Sequence, residues 1–267
     1  MEQQTQPIIC VKNLNTRFGD DWVHHNLNVT FNQGKIITIS GNSGCGKTTL
    51  VHRILMLDRI EEGGDITLWG QSVSEIYDHP KKRRELAARL GMMFQGGALF
   101  NGLSVLENVM FPLNEYTDFS ESTMKMLAGI KIKMAGLSHH DCMKYPSDLS
   151  GGMIKRAALA RTLALDPQVV FLDEPSAGLD PQASKALGQL ILKLKKDLSL
   201  TVIMITHDVD LTWQVSDEFV YLADQQVLIH DTVANAAKSD YLALQRFFNT
   251  KNATNSSIIG TSGHHHD

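Results

Sequence analysis

The chain has 267 residues, 43% of them hydrophobic and 20% charged, with 25 basic against 29 acidic side chains and a formal net charge of −4. This composition supplies enough apolar chain for one core with a subdomain and excludes collagen-like and broadly disordered classes; the mild acidity leaves no overall field for a polyanion, so no nucleic-acid partner is expected. Scattered Cys10, Cys45 and Cys142 argue against a disulfide framework and for a reducing compartment, no apolar run reaches the roughly 18 residues of a membrane span, and the first residues do not read as a secretion signal, so any membrane role is expected to come through a partner.

In chain order, Val23, Leu27, Val29 and Phe31 alternate as in a strand with one wet face, which predicts an antiparallel edge sheet. Residues 36–39 form a short, nearly continuous β-branched run, the pattern of a parallel strand covered on both faces, and lead into a helix carried by Leu50, Ile54 and Leu57. Lys81, Lys82, Arg83 and Arg84 read as a solvated first turn ahead of Leu86 and Leu90, with contact to acidic headgroups as the other reading. Strand signals then vanish over about residues 100–166. There Asp118 and Glu121 resemble a capping box ahead of Leu127, Ile130, Met134 and Leu137, so a helical insert is expected. Residues 169–172 and 202–205 are two more buried strands, separated by a helix that Asp180 caps and Pro181 opens, with Ala183, Leu187, Leu190, Ile191 and Leu194 on one face. Alternating strands and helices make the body α/β. Residues 249–267 are too polar to build a core and are expected to be a mobile tail, with Ile258 and Ile259 as its possible anchors. The three terminal histidines are native or an addition.

The loop after the first buried strand reads Gly41, Asn42, Ser43, Gly44, Cys45, Gly46, Lys47, Thr48, Thr49, which is G-x4-G-K-[ST] between a strand and a helix. Glycines let backbone N–H groups converge on phosphate oxygens, and the helix N-terminus adds partial positive charge. Lys47 is expected to reach β- and γ-phosphates and Thr48 to hold Mg²⁺. The second run ends in Asp173 and Glu174: the first suits a Mg²⁺ anchor and the second a base for the attacking water, although such a pair also caps turns. The third ends in His207, placed to meet a γ-phosphate or to stay a hydrogen-bonded strand-end histidine. Ser150, Gly151 and Gly152 open an Ala-rich helix, again offering N–H groups to an anion. Cys45 has no base nearby in sequence; His24, His25, His139 and His140 lack metal-ligand companions and read as surface histidines; Trp22, Trp69 and Trp213 read as packing residues.

In this order the set resembles the nucleotide-binding domain of an ABC transporter from about Ile8 to Leu244. The resemblance implies a P-loop NTPase of α/β class with an antiparallel β subdomain and a helical insert, over residues 1–248. It implies that Gln95 links Mg²⁺ to a membrane permease, that Ser150, Gly151 and Gly152 contact ATP held by a second copy of the chain, that Ser176 to Asp180 form the D-loop, and that His207 is the switch histidine. Phe18 stands where the family often stacks an aromatic on adenine, and a core role fits it equally well. Met153 replaces the glutamine common in the family. The segment with Ala98, Leu99, Phe100, Glu107, Asn108, Val109, Pro112 and Leu113 is most similar to ATPases of MCE-type lipid transporters such as the Mla system. That implies phospholipid as cargo, a peripheral place on the cytoplasmic side of the bacterial inner membrane, and an MCE-domain protein and a STAS-like subunit as further partners. Ala98, Leu99 and Phe100 are expected to receive the permease, so that Leu99→Asp spares stability; packing within the insert is the other reading. A polar-solute importer ATPase and a soluble ABC ATPase acting on nucleic acid or ribosomes are the rivals.

Overall fold

The computed structural model describes residues 7–60 and 63–256. Strands β1 (Pro7–Phe18) and β2 (Asp21–Asn32) form a hairpin, β3 (Ile36–Gly41) and helix α1 (Lys47–Ile54) follow, and β4 (Asp65–Leu68) and β5 (Gln71–Ser72) return to the hairpin. The first sheet is therefore antiparallel and four-stranded in the order β2-β1-β4-β5, as the alternation in β2 predicts. Leu27, Val29 and Phe31 point inward and Asn28 and Thr30 outward. The alternation fails at its start. Asn26 adopts a left-handed φ of 51° and β2 carries one extra residue between the pairs Leu14↔Leu27 and Thr16↔His24. This bulge reverses the parity, so His24 is fully buried and Val23 half-buried, which corrects the surface reading of His24.

Short helices α2 (Val73–Ile76) and α3 (Pro80–Ala87) lead to β6 (Leu90–Met93), so Leu90 lies on a strand and not on the helix with Leu86. Helix α1 likewise stops before Leu57, which is exposed. The insert holds α4 (Val105–Tyr116), α5 (Glu121–Met134), 3-10 turns at His139–Asp141 and Pro146–Asp148, and α6 (Gly151–Thr162). Ser120, not Asp118, caps α5, accepting from the Thr123 N–H at 3.3 Å. A reciprocal box instead opens α4: the Ser104 N–H donates to Glu107 Oε2 at 2.7 Å and the Glu107 N–H to Ser104 Oγ at 3.3 Å. Ala157 and Ala160 of α6 pack on the insert, whereas Ala158 and Leu159 pack on the central core, so one Ala-rich helix belongs to both.

The chain continues through β7 (Val169–Asp173), α7 (Pro181–Leu198), β8 (Thr201–Ile205), α8 (Val209–Val215), β9 (Glu218–Ala223), β10 (Gln226–Thr232), α9 (Val233–Ala236) and α10 (Leu242–Ser256). The second sheet has the order β10-β9-β3-β8-β7-β6, parallel except for β10. Every residue of β3 and β8 is buried, which is why their sequences are nearly continuous apolar runs broken only by the small polar residues Thr38, Ser40 and Thr201. Helix α10 extends past Phe248, where the polar tail was expected to begin; Ile258 and Ile259 lie outside the described residues. Of the tryptophans, Trp69 is half-buried under the Arg89 guanidinium at 3.7 Å, while Trp22 and Trp213 are exposed and make a tilted contact with His25 and an edge-on contact with Phe248.

Candidate functional site

Adjacent β3, β8 and β7 end level with one another, with Ile39 and Asp173 both paired to Ile205. The register brings the Gly41–Thr49 loop, Asp173, Glu174 and His207 to one edge of the sheet, the carboxyl edge where ligands bind in open α/β folds. Gln95, exposed two residues beyond β6, joins this edge because Met93 pairs with Leu172.

Gly41 has φ 152°, and a Cβ there would lie 2.3 Å from the Leu222 carbonyl oxygen. Gly46 has φ 95° and is the N-cap of α1 with no side-chain cap, so the first N–H groups of the helix, around Lys47, Thr48 and Thr49, are left for an external acceptor. Lys47 spans the loop, its Nζ donating to Gly41 O at 2.8 Å and Asn42 O at 2.9 Å and lying 3.8 Å from the half-buried Cys45 Sγ. Asn42, Ser43, Gly44 and Thr48 are exposed, and Tyr221 OH donates to Asn42 Oδ1 at 3.2 Å.

His24 braces this loop from the other sheet. Its Nε2 lies 3.1 Å from Gly46 O, which can only accept, so Nε2 carries the proton and the buried Nδ1 has no partner among the described residues. Burial, assisted by the charge of Arg53 and opposed by the Gly46 hydrogen bond, holds the imidazole at about 4. A Cβ on Gly46 would sit 2.4 Å from that Nε2.

Burial pushes the Asp173 carboxyl up, and the positive charges of His52, Lys47 and Lys155 pull it back. Glu174 follows with a left-handed φ of 44°. Its N–H donates to Ile205 O at 2.8 Å, its Oε2 accepts from Thr206 Oγ1 at 3.2 Å, and its Oε1 lies 3.8 Å from His207 Nε2. Asp208, which the sequence did not single out, ties the histidine turn to the segment after β7 and to α7: its Oδ2 accepts from Ser176 Oγ at 2.8 Å and Ser184 Oγ at 2.9 Å. Asp180 caps α7, accepting from the Ala183 N–H at 2.8 Å.

The structure separates the remaining candidates from this cluster. Ser150 caps α6, accepting from the Met153 N–H at 3.3 Å, and exposed Gly151 lies beside Leu179 of the D-loop. Among the described residues no hydrogen bond joins this turn to the Gly41–Thr49 loop. Phe18, 59% exposed at the tip of the β1–β2 hairpin, is not a core residue.

A cleft of ≈ 330 Å³ opens beside the Gln95 loop, lined by residues that include Phe94, Ala98, Phe100, Phe111, Pro112 and Tyr116. Arg161 fixes its rim, donating to Ala98 O at 2.7 Å and Gly97 O at 2.8 Å. Leu99 turns away from the cleft and packs between the central core and the insert, which removes it from the exposed patch.

The ABC transporter family matches residues 24–177. The chain is similar to the intermembrane phospholipid transport system ATP-binding protein MlaF of Haemophilus influenzae, 38% identical and covering 91% of this chain and 90% of that one. It is also similar to the probable ribonucleotide transport ATP-binding protein mkl of Mycobacterium leprae, 33% identical over 90% of this chain and 68% of that one. Among solved structures, a dimeric post-hydrolysis state of the ATP-binding cassette MJ0796 bound to ADP and Pi matches with a TM-score of 0.75 and 28% identity, covering 84% of this chain and 98% of that one. A family match over more than half of the residues, on a fold whose loop, carboxylates and histidine meet at one sheet edge, means that the chain belongs to the ABC transporter family as an ATP-binding, ATP-hydrolysing protein.

Proposed function

We propose that this chain powers phospholipid transport through a separate membrane permease, working as a homodimer that closes on two ATP molecules. The observation that carries the reading is the division of the site. The Gly41–Thr49 loop and Glu174 share one edge, while exposed Ser150 and Gly151 and half-buried Gly152 open α6 elsewhere, where the Ser150 hydroxyl caps only the Met153 N–H and leaves the glycine N–H groups for an anion, so a second copy is needed to complete each site. Phospholipid as cargo is supported by the 38% likeness to a phospholipid transport ATPase.

In this mechanism the loop N–H groups and Lys47 hold the triphosphate, and Phe18 stacks on the base. Thr48, Gln95 and Asp173 form an all-oxygen set suited to Mg²⁺, and Asp173, half-buried with its carboxyl pushed up, fits a cation at that position. When bound there, the ion would supply charge neutralisation for the phosphates. Glu174 takes the proton of the water whose oxygen bonds to the γ-phosphorus as the bond to the β-bridging oxygen breaks, and His207 steadies the transferring group. The cleft beside Gln95 receives a helix of the permease on the cytoplasmic face of the inner membrane, with an MCE-domain protein and a STAS-like subunit completing the complex.

Glu174→Gln is expected to retain ATP, lose hydrolysis by at least about a hundredfold, and sediment as a dimer with saturating ATP. Sedimentation as a monomer overturns the reading. The ribonucleotide naming of the mycobacterial relative favours a polar cargo as the second reading. Lipid extraction of the complex purified in detergent separates the two, because a polar-solute transporter has no phospholipid specifically retained on its partner.

A further inference from the structure

Lys155 lies on α6, one turn beyond Ser150, Gly151 and Gly152, and is only 5% exposed, an uncommon place for a lysine. Its Nζ donates to the main-chain carbonyl of Glu174 at 3.2 Å, and the Ala177 N–H donates to the same oxygen at 3.1 Å. With the Glu174 N–H bound to Ile205 O and its Oε2 to Thr206, both backbone polar groups and the carboxylate are anchored. That anchoring matters because Glu174 is a non-glycine residue in the left-handed region, a conformation that persists only where its surroundings over-determine it.

We propose that Lys155 is a positioning residue that holds the Glu174 main chain so that its carboxylate is aimed, and that, carried on α6, it ties hydrolysis in one ATP site to engagement of the other. The proposal rests on the ATP-sandwich reading above. In that dimer Glu174 serves the ATP bound to its own Gly41–Thr49 loop, whereas the first turn of α6 touches the ATP bound to the partner. Five residues, about 1.4 turns and about 7.5 Å of rise, separate Ser150 from Lys155, and so short a length of α-helix moves as a unit. A displacement of the serine-glycine turn therefore reaches the Glu174 carbonyl through a single hydrogen bond. The charged groups facing Lys155 are the carboxylates of Glu174 and Asp173, so the contact is charge-assisted in character and specific to the catalytic edge.

The test compares ATP hydrolysis against ATP concentration for the full-length chain, K155M and K155R, with affinity read by a fluorescent ATP analogue and folding by thermal melting. The wild type is expected to respond with a Hill coefficient above 1. K155M is expected to lose about tenfold or more in kcat with analogue affinity within about twofold, and to become hyperbolic. K155R, which keeps the donor and the charge, is expected to remain cooperative. Unchanged cooperativity in folded K155M, or a loss confined to nucleotide affinity, overturns the proposal. Should K155M fail to fold, K155R decides: retained turnover and cooperativity support the proposal, and their collapse with nucleotide binding intact overturns it. Sedimentation of Glu174→Gln keeps the two ideas apart, since a dimer with ATP but unaltered cooperativity in K155M sinks only the Lys155 link, while a monomer sinks the sandwich itself.

Discussion

His24 carries a measurable consequence of burial at the scale of one side chain. Its folded value of about 4 lies below the ordinary value of 6.5, so between these values the unfolded chain binds a proton that the folded chain does not. Stability from this group is complete above pH 6.5, falls as pH drops through that window, and is lost once pH reaches 4. Between pH 7.5 and 5 the loss amounts to about 2 kcal/mol. His24→Leu keeps an apolar-sized group beneath Gly46 and cannot titrate, so its urea-unfolding free energy is expected to lose about 2 kcal/mol less than the wild type over the same interval. Equal pH dependence in the two chains would contradict the buried neutral imidazole. The residue was unreadable as a core group because a strand's parity is visible in sequence whereas the bulge at Asn26 that reverses it is not. Thr206, Asp208 and Lys155 escaped for a related reason: they act across 32, 24 and 19 residues of separation, which no local pattern encodes.

Elements buried on both faces were the legible ones. β3, β7 and β8 are largely apolar runs because helices on one side and the first sheet with α1 on the other cover them, and each delivers its motif to the same edge. β1 was not legible. Its exposed and buried positions are irregular, with register shifts on both sides of Leu14, so neither strict alternation nor a continuous run appears. β6 has only four residues, too few to distinguish from an extension of the preceding helix. The same scale corrects the docking patch. Leu99 packs between two cores, so Leu99→Asp is expected to bury a charge and lower stability by about 2 kcal/mol or more. Phe94 lines the cleft and is exposed, so Phe94→Asp is expected to leave the melting temperature near wild type while abolishing co-purification with the permease. A stable Leu99→Asp with a lost permease would restore the earlier placement of the patch, and a Phe94→Asp chain that still brings the permease down would remove the cleft as its seat.

For the whole molecule, the question is what holds it to a membrane. Among the described residues no helix is long and apolar enough to cross one, and a net charge of −4 repels an anionic surface beyond the range of local patches. The dense basic run from Lys81 to Arg84 is partly engaged by neighbouring groups of the protein, although Arg84 stays exposed. Arg83 lies over the Tyr77 ring at 5.2 Å, and Arg84 lies over the Tyr116 ring at 4.7 Å and bonds to Glu115 O. Two lysines remain for headgroups, worth about 1 kcal/mol each at an anionic surface, which is too little for stable attachment. The cleft that Phe94 lines adjoins this run through Tyr116, so the same face can approach a bilayer only by way of a protein seated in the cleft. Replacing Lys81 and Lys82 by glutamine is therefore expected to leave the membrane-bound fraction of the chain in cells unchanged, and Phe94→Asp to release it. The isolated chain is expected not to sediment with vesicles of anionic phospholipid at physiological salt. Sedimentation that disappears with the two lysines would assign attachment to lipid charge and not to the permease.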